Sequence, residues 1–186
     1  MIYLIPISII AIILIGAIVI NNKIIARKNQ VAQAFGSIEI YLKKRFDLIP
    51  NLVAMLNKYM AHEKEMLLKI TEIRSQVENA TKPNQKIDAS NELTKIVSGL
   101  NLNVENYPDL KADKQFSNLQ HELADIEDQI SAARRAYNAA VTTYNNTIQM
   151  FPASIISGFR NDKAEILLEI PKEEQKEINM NQLLNN

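Results

Sequence analysis

The chain has 186 residues with 21 basic and 21 acidic side chains, so its formal net charge is zero and no global field draws it to nucleic acid. It has no cysteine, which excludes disulfides, thiolate metal sites and cysteine nucleophiles. Only four glycines, set among charge-rich and Leu/Ile-rich segments, point to helices rather than strands.

Met1–Ile20 holds thirteen Ile, Leu or Val residues and no charged side chain. As a helix it would reach about 30 Å, the thickness of a bilayer's hydrocarbon core. A single short segment satisfies its own backbone in lipid only as a helix. A cleaved signal peptide needs a positive n-region and a small-x-small cleavage site. Here no Lys or Arg precedes Lys23, and Gly16-Ala17 runs on into more Ile. The expectation is a permanent anchor over residues 1–22. Lys23, Arg27 and Lys28 follow it before the first acid, Glu39, and suit lipid headgroups. By the positive-inside rule they place the N-terminus outside and the bulk of the chain in the cytoplasm.

From Val31 the apolar positions alternate steps of four and three. The seam reads Val31, Phe35, Ile38, Leu42, Arg45, Ile49, Leu52, Leu56, Tyr59, Glu63, Met66, Ile70, Ile73, Val77 and Ala80. This heptad spacing predicts one long helix in coiled-coil-like packing. Pro50 lies inside it and predicts a kink over residues 46–50. Arg45 and Glu63 intrude on the seam; each either meets a charge on a neighbour or marks a buried polar contact that fixes register.

Thr81-Lys82-Pro83-Asn84 is a stop signal. A shorter helix over Lys86–Val104 turns Ile87, Leu93, Ile96/Val97 and Leu100 inward. Tyr107-Pro108 then breaks the chain, either as a turn or as a bend. A turn, giving a three-stranded bundle whose third helix runs parallel to the first, is preferred; a bend would leave residues 86–150 as one arm antiparallel to the first. The second long seam reads Phe116, Leu119, Leu123, Ile126, Ile130, Ala133, Tyr137, Ala140, Tyr144, Ile148 and Phe151. Glu122, Glu127, Asp128, Arg134 and Arg135 fall off it, on a solvated face. Pro152 is placed at the first position of a short last helix, and Gly158 at its end. Residues 161–186 form an extension, expected to be partly disordered, from which Ile166, Leu167, Leu168 and Ile170 dock on the bundle.

Tyr137-Asn138 and Tyr144-Asn145 repeat at seven residues. The tyrosines suit the seam, with hydroxyls at a polar edge. The asparagines either ladder with a neighbouring helix or satisfy backbone groups freed around Pro50. Chemistry finds little purchase. No G-x-S-x-G elbow or glycine cluster is present. His62 and His121 lack the Glu three residues before them that a bundle metal site uses. His62-Glu63-x-Glu65 and His121-Glu122-x-x-Asp125 offer ligands only for a runner-up reading, a carboxylate-metal enzyme.

Leu42-Lys43-Lys44-Arg45-Phe46-Asp47-Leu48-Ile49-Pro50-Asn51-Leu52 resembles the LKRRxDLIPNLV signature of the LemA family. Tyr59-Met60-Ala61-His62-Glu63 is similar to its YAxHE stretch. Tyr107-Pro108-Asp109-Leu110-Lys111-Ala112 with Phe116, Leu119-Gln120 and Glu122-Leu123 is similar to its YPxLKAxxxFxxLQxEL stretch. Ala133-Arg134, Tyr137-Asn138, Val141, Tyr144-Asn145 and Phe151-Pro152 follow its ARxxYNxxVxxYNxxIxxFP stretch. Departures are Asp125–Gln129, where the family tends to TEN, and Leu167-Leu168-Glu169, where it often has an aromatic pair. The resemblance implies an all-α protein: an N-terminal transmembrane helix, then an elongated bundle over residues 23–160. It implies a single-pass bacterial membrane protein with relatives among magnetosome-associated proteins, and carries over no catalytic residue, cofactor or metal. Together these readings give a non-enzymatic scaffold or adaptor. Its expected partners are the bilayer, other membrane proteins and a second copy of the chain, since seams this long exceed what the middle helix covers.

Overall fold

The computed structural model describes residues 4–60, 62–80 and 83–168. Residues 1–3 of the apolar stretch, Ala61, Thr81 and Lys82 of the first stop signal, Glu169, Ile170 and the tail from Pro171 lie outside the described residues. Every regular element among the described residues is helical: α1 (Leu4–Asp47), α2 (Ile49–Tyr59), α3 (Lys64–Asn79), α4 (Pro83–Asn103), a 3-10 turn (Val104–Asn106), α5 (Pro108–Ala112), α6 (Lys114–Gln149) and α7 (Ala153–Arg160). They fall into two compact units. Gly36–Ala132 makes one; the described residues up to Phe35 and from Ala133 onward make the other.

In Gly36–Ala132 the expected kink is a one-residue interruption at Leu48, with Pro50 in the first turn of α2. Proline fits there because its missing N–H is one the first turn leaves without an intrahelical partner. Leu48 N–H still donates to Arg45 O at 3.2 Å and Leu52 N–H to Leu48 O at 3.1 Å, so the helical phase carries through. Leu42, Arg45, Ile49, Leu52 and Leu56 are all buried.

The first seam does not continue as one helix. α2 stops at Tyr59, α3 starts at Lys64, and Thr71 and Arg74 share a cavity wall with Pro50, Ala54 and Asn57. α3 therefore runs back along α2, and Glu63 sits exposed at the reversal. Lys86–Glu39 and Ser90–Arg45 contacts set α4 beside α1 in the same direction. Arg45–Glu127 and Tyr59–Asp113 contacts set α6 antiparallel to α1 and α2. The unit is thus four strands deep, up-down-up-down, where three were expected. Tyr107-Pro108 is a true turn. Because the chain has already reversed once after Tyr59, α6 opposes α1 instead of paralleling it. The seam from Ile38 to Leu56 is buried by these neighbours.

In the other unit, ten aliphatic side chains from Ile5 to Val19 are each more than half exposed. Ile12, Ile13, Leu14 and Ile15, about 100° apart around the helix, leave no side covered. This part of α1 is long and apolar enough to cross a membrane. Burial begins at Ile24 and recurs at Val31. The Phe35 and Tyr137 rings meet edge-on with centroids 5.7 Å apart, and Arg160 Nη1 donates to Asn21 Oδ1 at 2.6 Å. α6 therefore descends antiparallel to α1 here too. It buries Tyr137, Val141, Tyr144 and Ile148. Val141 takes the inward place expected of Ala140, which restores the 4-3-4 spacing, and Phe151 is exposed, not part of the seam. Arg134, expected on a solvated face, is buried. Pro152 caps α7 one residue before its first helical position. α7 passes Gly158 and ends at Asn161, whose φ of 54° is the left-handed stop that asparagine tolerates.

Beyond α7 the chain runs back along α6 as an irregular strand. Asn138 Nδ2 donates to Leu168 O and Leu168 N–H returns to Asn138 Oδ1, both at 2.9 Å. Asn145 makes the same pair with Glu165, both at 2.9 Å. Between them Tyr137 Oη donates to Ile166 O at 3.2 Å. Seven residues of helix rise about 10.5 Å and three extended residues span about 10 Å, so the two rungs match. The asparagines thus hold the returning strand, not the backbone at Pro50. The strand is held by its main chain; of the apolar side chains expected to dock, Ile166 at 81% and Leu167 at 51% stay exposed, Leu168 is half-buried, and Ile170 lies outside the described residues. Replacing Asn145 by Leu is expected to speed hydrogen exchange of the Glu165 amide at least tenfold by about 1.4 kcal/mol of lost protection. An unchanged exchange rate, read by NMR, would show that the rung does not hold the strand.

Candidate functional site

The polar centre of Gly36–Ala132 is Arg45, the seam intruder. It is 2% exposed. Its Nη1 donates to Ser90 Oγ at 2.9 Å and to Ser90 O at 3.3 Å, and it pairs with the Glu127 carboxylate. Thr94 Oγ1 donates to the same carboxylate at 3.2 Å. One charge from α1 is therefore answered from α4 and α6 together. Glu127 was expected on the solvated face; its side chain is only 25% exposed. Nothing in the spacing of α6 marks it, because its role depends on which helix lies opposite.

Near this joint, lined by α1, the first turn of α2, α3 and α4, lies a cleft of about 540 Å³. Ile40, Phe46, Pro50 and Val77 give it apolar walls. Lys43, Arg74 and Lys86 bring positive charge and Glu39 and Asp47 negative, with Lys86 Nζ 3.4 Å from Glu39 Oε1. Apolar walls with a few charged groups at the rim suit an amphipathic ligand or peptide. Lys43, Phe46, Asp47 and Pro50 all come from the Leu42–Leu52 string, Phe46 as a largely buried wall between cleft and core. Asn51 points elsewhere, into a shallower hollow with Asn118 and Glu122.

The far end of the unit is pinned by two crossed tyrosine–carboxylate bonds. Tyr59 Oη donates to Asp113 Oδ2 at 2.6 Å and Tyr107 Oη to Glu63 Oε1 at 2.9 Å. They tie the α2–α3 reversal to the Tyr107-Pro108 turn. Asp113, which sequence reasoning missed, also accepts from Gln115 N–H at 2.8 Å and so caps α6. Its position just before the Phe116 seam was the available signal. The Tyr59 bond, then the Gln115 amide, hold the Asp113 carboxyl below its usual range. The Glu63 bond, followed by desolvation, pushes the Tyr107 phenol up.

The other sequence-marked residues are spread apart. Lys23 and Lys28 are exposed beside the apolar stretch, and Arg27 Nη1 donates to Gln30 Oε1 at 2.8 Å. Tyr137, Asn138 and Asn145 hold the returning strand. Tyr144 is fully buried, and burial raises its phenol pKa. Phe151 and Pro152 are exposed at the α6–α7 turn, and Pro108 opens α5. His62 and His121 are exposed. Among the described residues, no group of three His, Asp or Glu is placed to hold a metal ion.

A profile of the LemA family matches residues 34–181. Protein LemA of Metamycoplasma hominis is 30% identical over 132 residues, which is 70% of this chain and 60% of that protein. Magnetosome proteins MamQ 2 and MamQ 1 of Paramagnetospirillum magneticum are each 35% identical over 71 residues, 37% of this chain and 25% of theirs. The chain thus spans less than two thirds of the length of each of these relatives.

Two outcomes follow from the polar groups. Glu127→Ala is expected to lower stability by about 3 kcal/mol, the low end for breaking a buried pair, because water reaches the carboxylate. The double variant Arg45→Met/Glu127→Leu is expected to recover most of that loss; urea denaturation of both measures it, and a double variant less stable than the single would show otherwise. For Asp113, the depressed pKa contributes stability above the unfolded carboxylate value of about 3.9, lost as pH falls through the folded value. Tyr59→Phe should therefore raise the Asp113 pKa toward that value in an NMR titration and flatten the acid side of the stability curve.

Proposed function

The chain belongs to the LemA family, and on that premise we propose that it is a membrane-anchored, non-enzymatic adaptor. Its apolar N-terminal stretch lies in the lipid of a bacterial cell membrane, and its helical units recruit a partner on the cytoplasmic side. The observation that carries this reading is the environment of α1. Ten aliphatic side chains open to solvent on every side would forgo roughly 15–30 kcal/mol of burial, at about 1.5–3 kcal/mol each. That exceeds the roughly 5–15 kcal/mol by which a whole domain is stable. Lipid removes the conflict, and a helix apolar on every side suits it.

Orientation rests on Lys23, Arg27 and Lys28, which favour the cytoplasmic side. The adaptor role rests on the cleft beside Arg45, whose floor is apolar and whose rim mixes charges in the way transient partner sites do. The buried joint and the crossed tyrosine bonds keep that surface preformed. Self-association remains part of the proposal only through surfaces other than the seams.

The absence of cysteine makes a direct test available. Asn118→Cys in α6 should resist a membrane-impermeant maleimide in intact cells and react after lysis, with the protein in the carbonate-washed membrane fraction. Labelling in intact cells would reverse the orientation, and recovery in the soluble fraction would remove the anchor. A photoreactive residue in place of Lys43 should yield discrete adducts in membranes; a chain that crosslinks to nothing there would remove the adaptor role.

A further inference from the structure

We propose that helix α7, with the turn leading into it, lies flat in the membrane–water interface as a second lipid contact beside the transmembrane stretch. The proposal rests on the anchored reading above. It starts from four exposed apolar side chains: Met150 at 62%, Phe151 at 80%, Ile155 at 54% and Phe159 at 87%. Ile155 and Phe159 lie four residues apart on one face of α7, and Phe151 stands exposed in the turn just before it, so together they offer one apolar stripe. The opposite side of α7 is committed to the protein: Ser157 is buried and its hydroxyl donates to Ile148 O at 2.7 Å. The helix is therefore amphipathic, with its oily side turned away from the fold.

Three measurements fix the level at which this stripe sits. Arg160, the last residue of α7, bonds Asn21, the first polar residue after the apolar run that ends at Ile20. The preceding turn reaches the same level by a separate route. Tyr137 packs on Phe35. Thirteen residues further along α6 is Met150, and thirteen residues back along α1 is Asn22, each about 20 Å away. The returning strand agrees, since it leaves Asn161 and meets Asn145 only at Glu165, climbing away from that end. Both ends of α7 thus stand where the apolar run of α1 gives way to polar residues. A helix about 12 Å long with both ends at one level runs across α1, along the plane of the bilayer surface.

The charges around the stripe fit lipid headgroups. Lys23, Lys28 and Lys163 are exposed in this unit, and Arg160 joins them, with one of its nitrogens 2.9 Å from Asp162. Such basic side chains next to an apolar stripe complement anionic lipid and reach to the phosphate level while their stems stay in the oil. Two membrane contacts side by side at the same end of one antiparallel pair would also fix the rotation of α1 about its axis, which a lone transmembrane helix leaves free.

The chain has no tryptophan, so single tryptophans report without background. Four variants of the full chain, Ile12→Trp, Phe151→Trp, Phe159→Trp and Ile166→Trp, are compared in phosphatidylcholine–phosphatidylglycerol nanodiscs whose acyl chains carry bromine near the headgroup or near the tail end. The expected result is loss of at least half the emission at positions 151 and 159, strongest with shallow bromine. Position 12 should respond to deep bromine, and position 166, held at the level of Tyr137, to neither. Quenching at 12 with none at 151 and 159 would overturn the interfacial helix while leaving the anchor in place. No quenching at 12 would remove the anchored reading and this proposal with it. A blue-shifted emission at 151 and 159 that bromine does not quench would put a second copy of the chain on the stripe instead of lipid, and would also overturn it.

Discussion

A guanidinium taken out of water must be answered by opposite charge and by acceptors, or it unfolds what surrounds it. In Gly36–Ala132 that demand falls on Arg45, and the answer comes from Ser90 and Glu127 on two different helices. Apolar contacts alone would let α4 or α6 slide by a turn along α1 at small cost, since one leucine replaces another. The Arg45 fork does not permit that slide. It sets which residues of three helices share a level, and with them the position of Lys86 against Glu39 and the shape of the cleft.

The helical class and most of the interior could be read directly from the sequence. Seam positions from Val31 to Leu56 and from Phe116 to Ile148 are inward with few exceptions, because a period of 3.5 leaves one side of a helix apolar whatever it packs against. The reversal between Tyr59 and Lys64 was hidden. Met60, His62 and Glu63 are all compatible with a helix, the chain there has no Gly or Pro, and the heptad phase runs on through Glu63 to Met66. The reversal is held by contacts distant in sequence: Tyr59 with Asp113, Tyr107 with Glu63, and the burial of Ile70 and Ile73 of α3. The same holds for the site. The spacing of Asn138 and Asn145 was visible, but their partner was not. Asp162–Leu168 has no alternation that would announce an extended strand, and it is bound through main-chain groups that every sequence possesses. Arg134 and Glu127 were misplaced for a related reason, since a charge off the seam of one helix can still face a third.

On the adaptor reading proposed above, one short motif serves both packing and recognition. The Leu42–Leu52 string divides its residues between two tasks. Leu42, Arg45, Ile49 and Leu52 face inward and set the level of the helices. Lys43, Phe46, Asp47 and Pro50 meet at the cleft. A short contiguous motif can do both because successive helical residues point about 100° apart.

The two asparagine rungs on α6 work as a vernier, a scale with one division read against another with a different division. Seven helical residues coincide with three extended ones at Asn138–Leu168 and Asn145–Glu165, and at no neighbouring count. Inserting or deleting a single residue between the rungs would swing one amide about 100° around the helix and carry it out of reach of the strand. Outward-facing residues in between, such as Thr142 and Thr143, are free to change their chemistry. This stretch of the gene should therefore be permissive toward codon replacement and intolerant of any change in length.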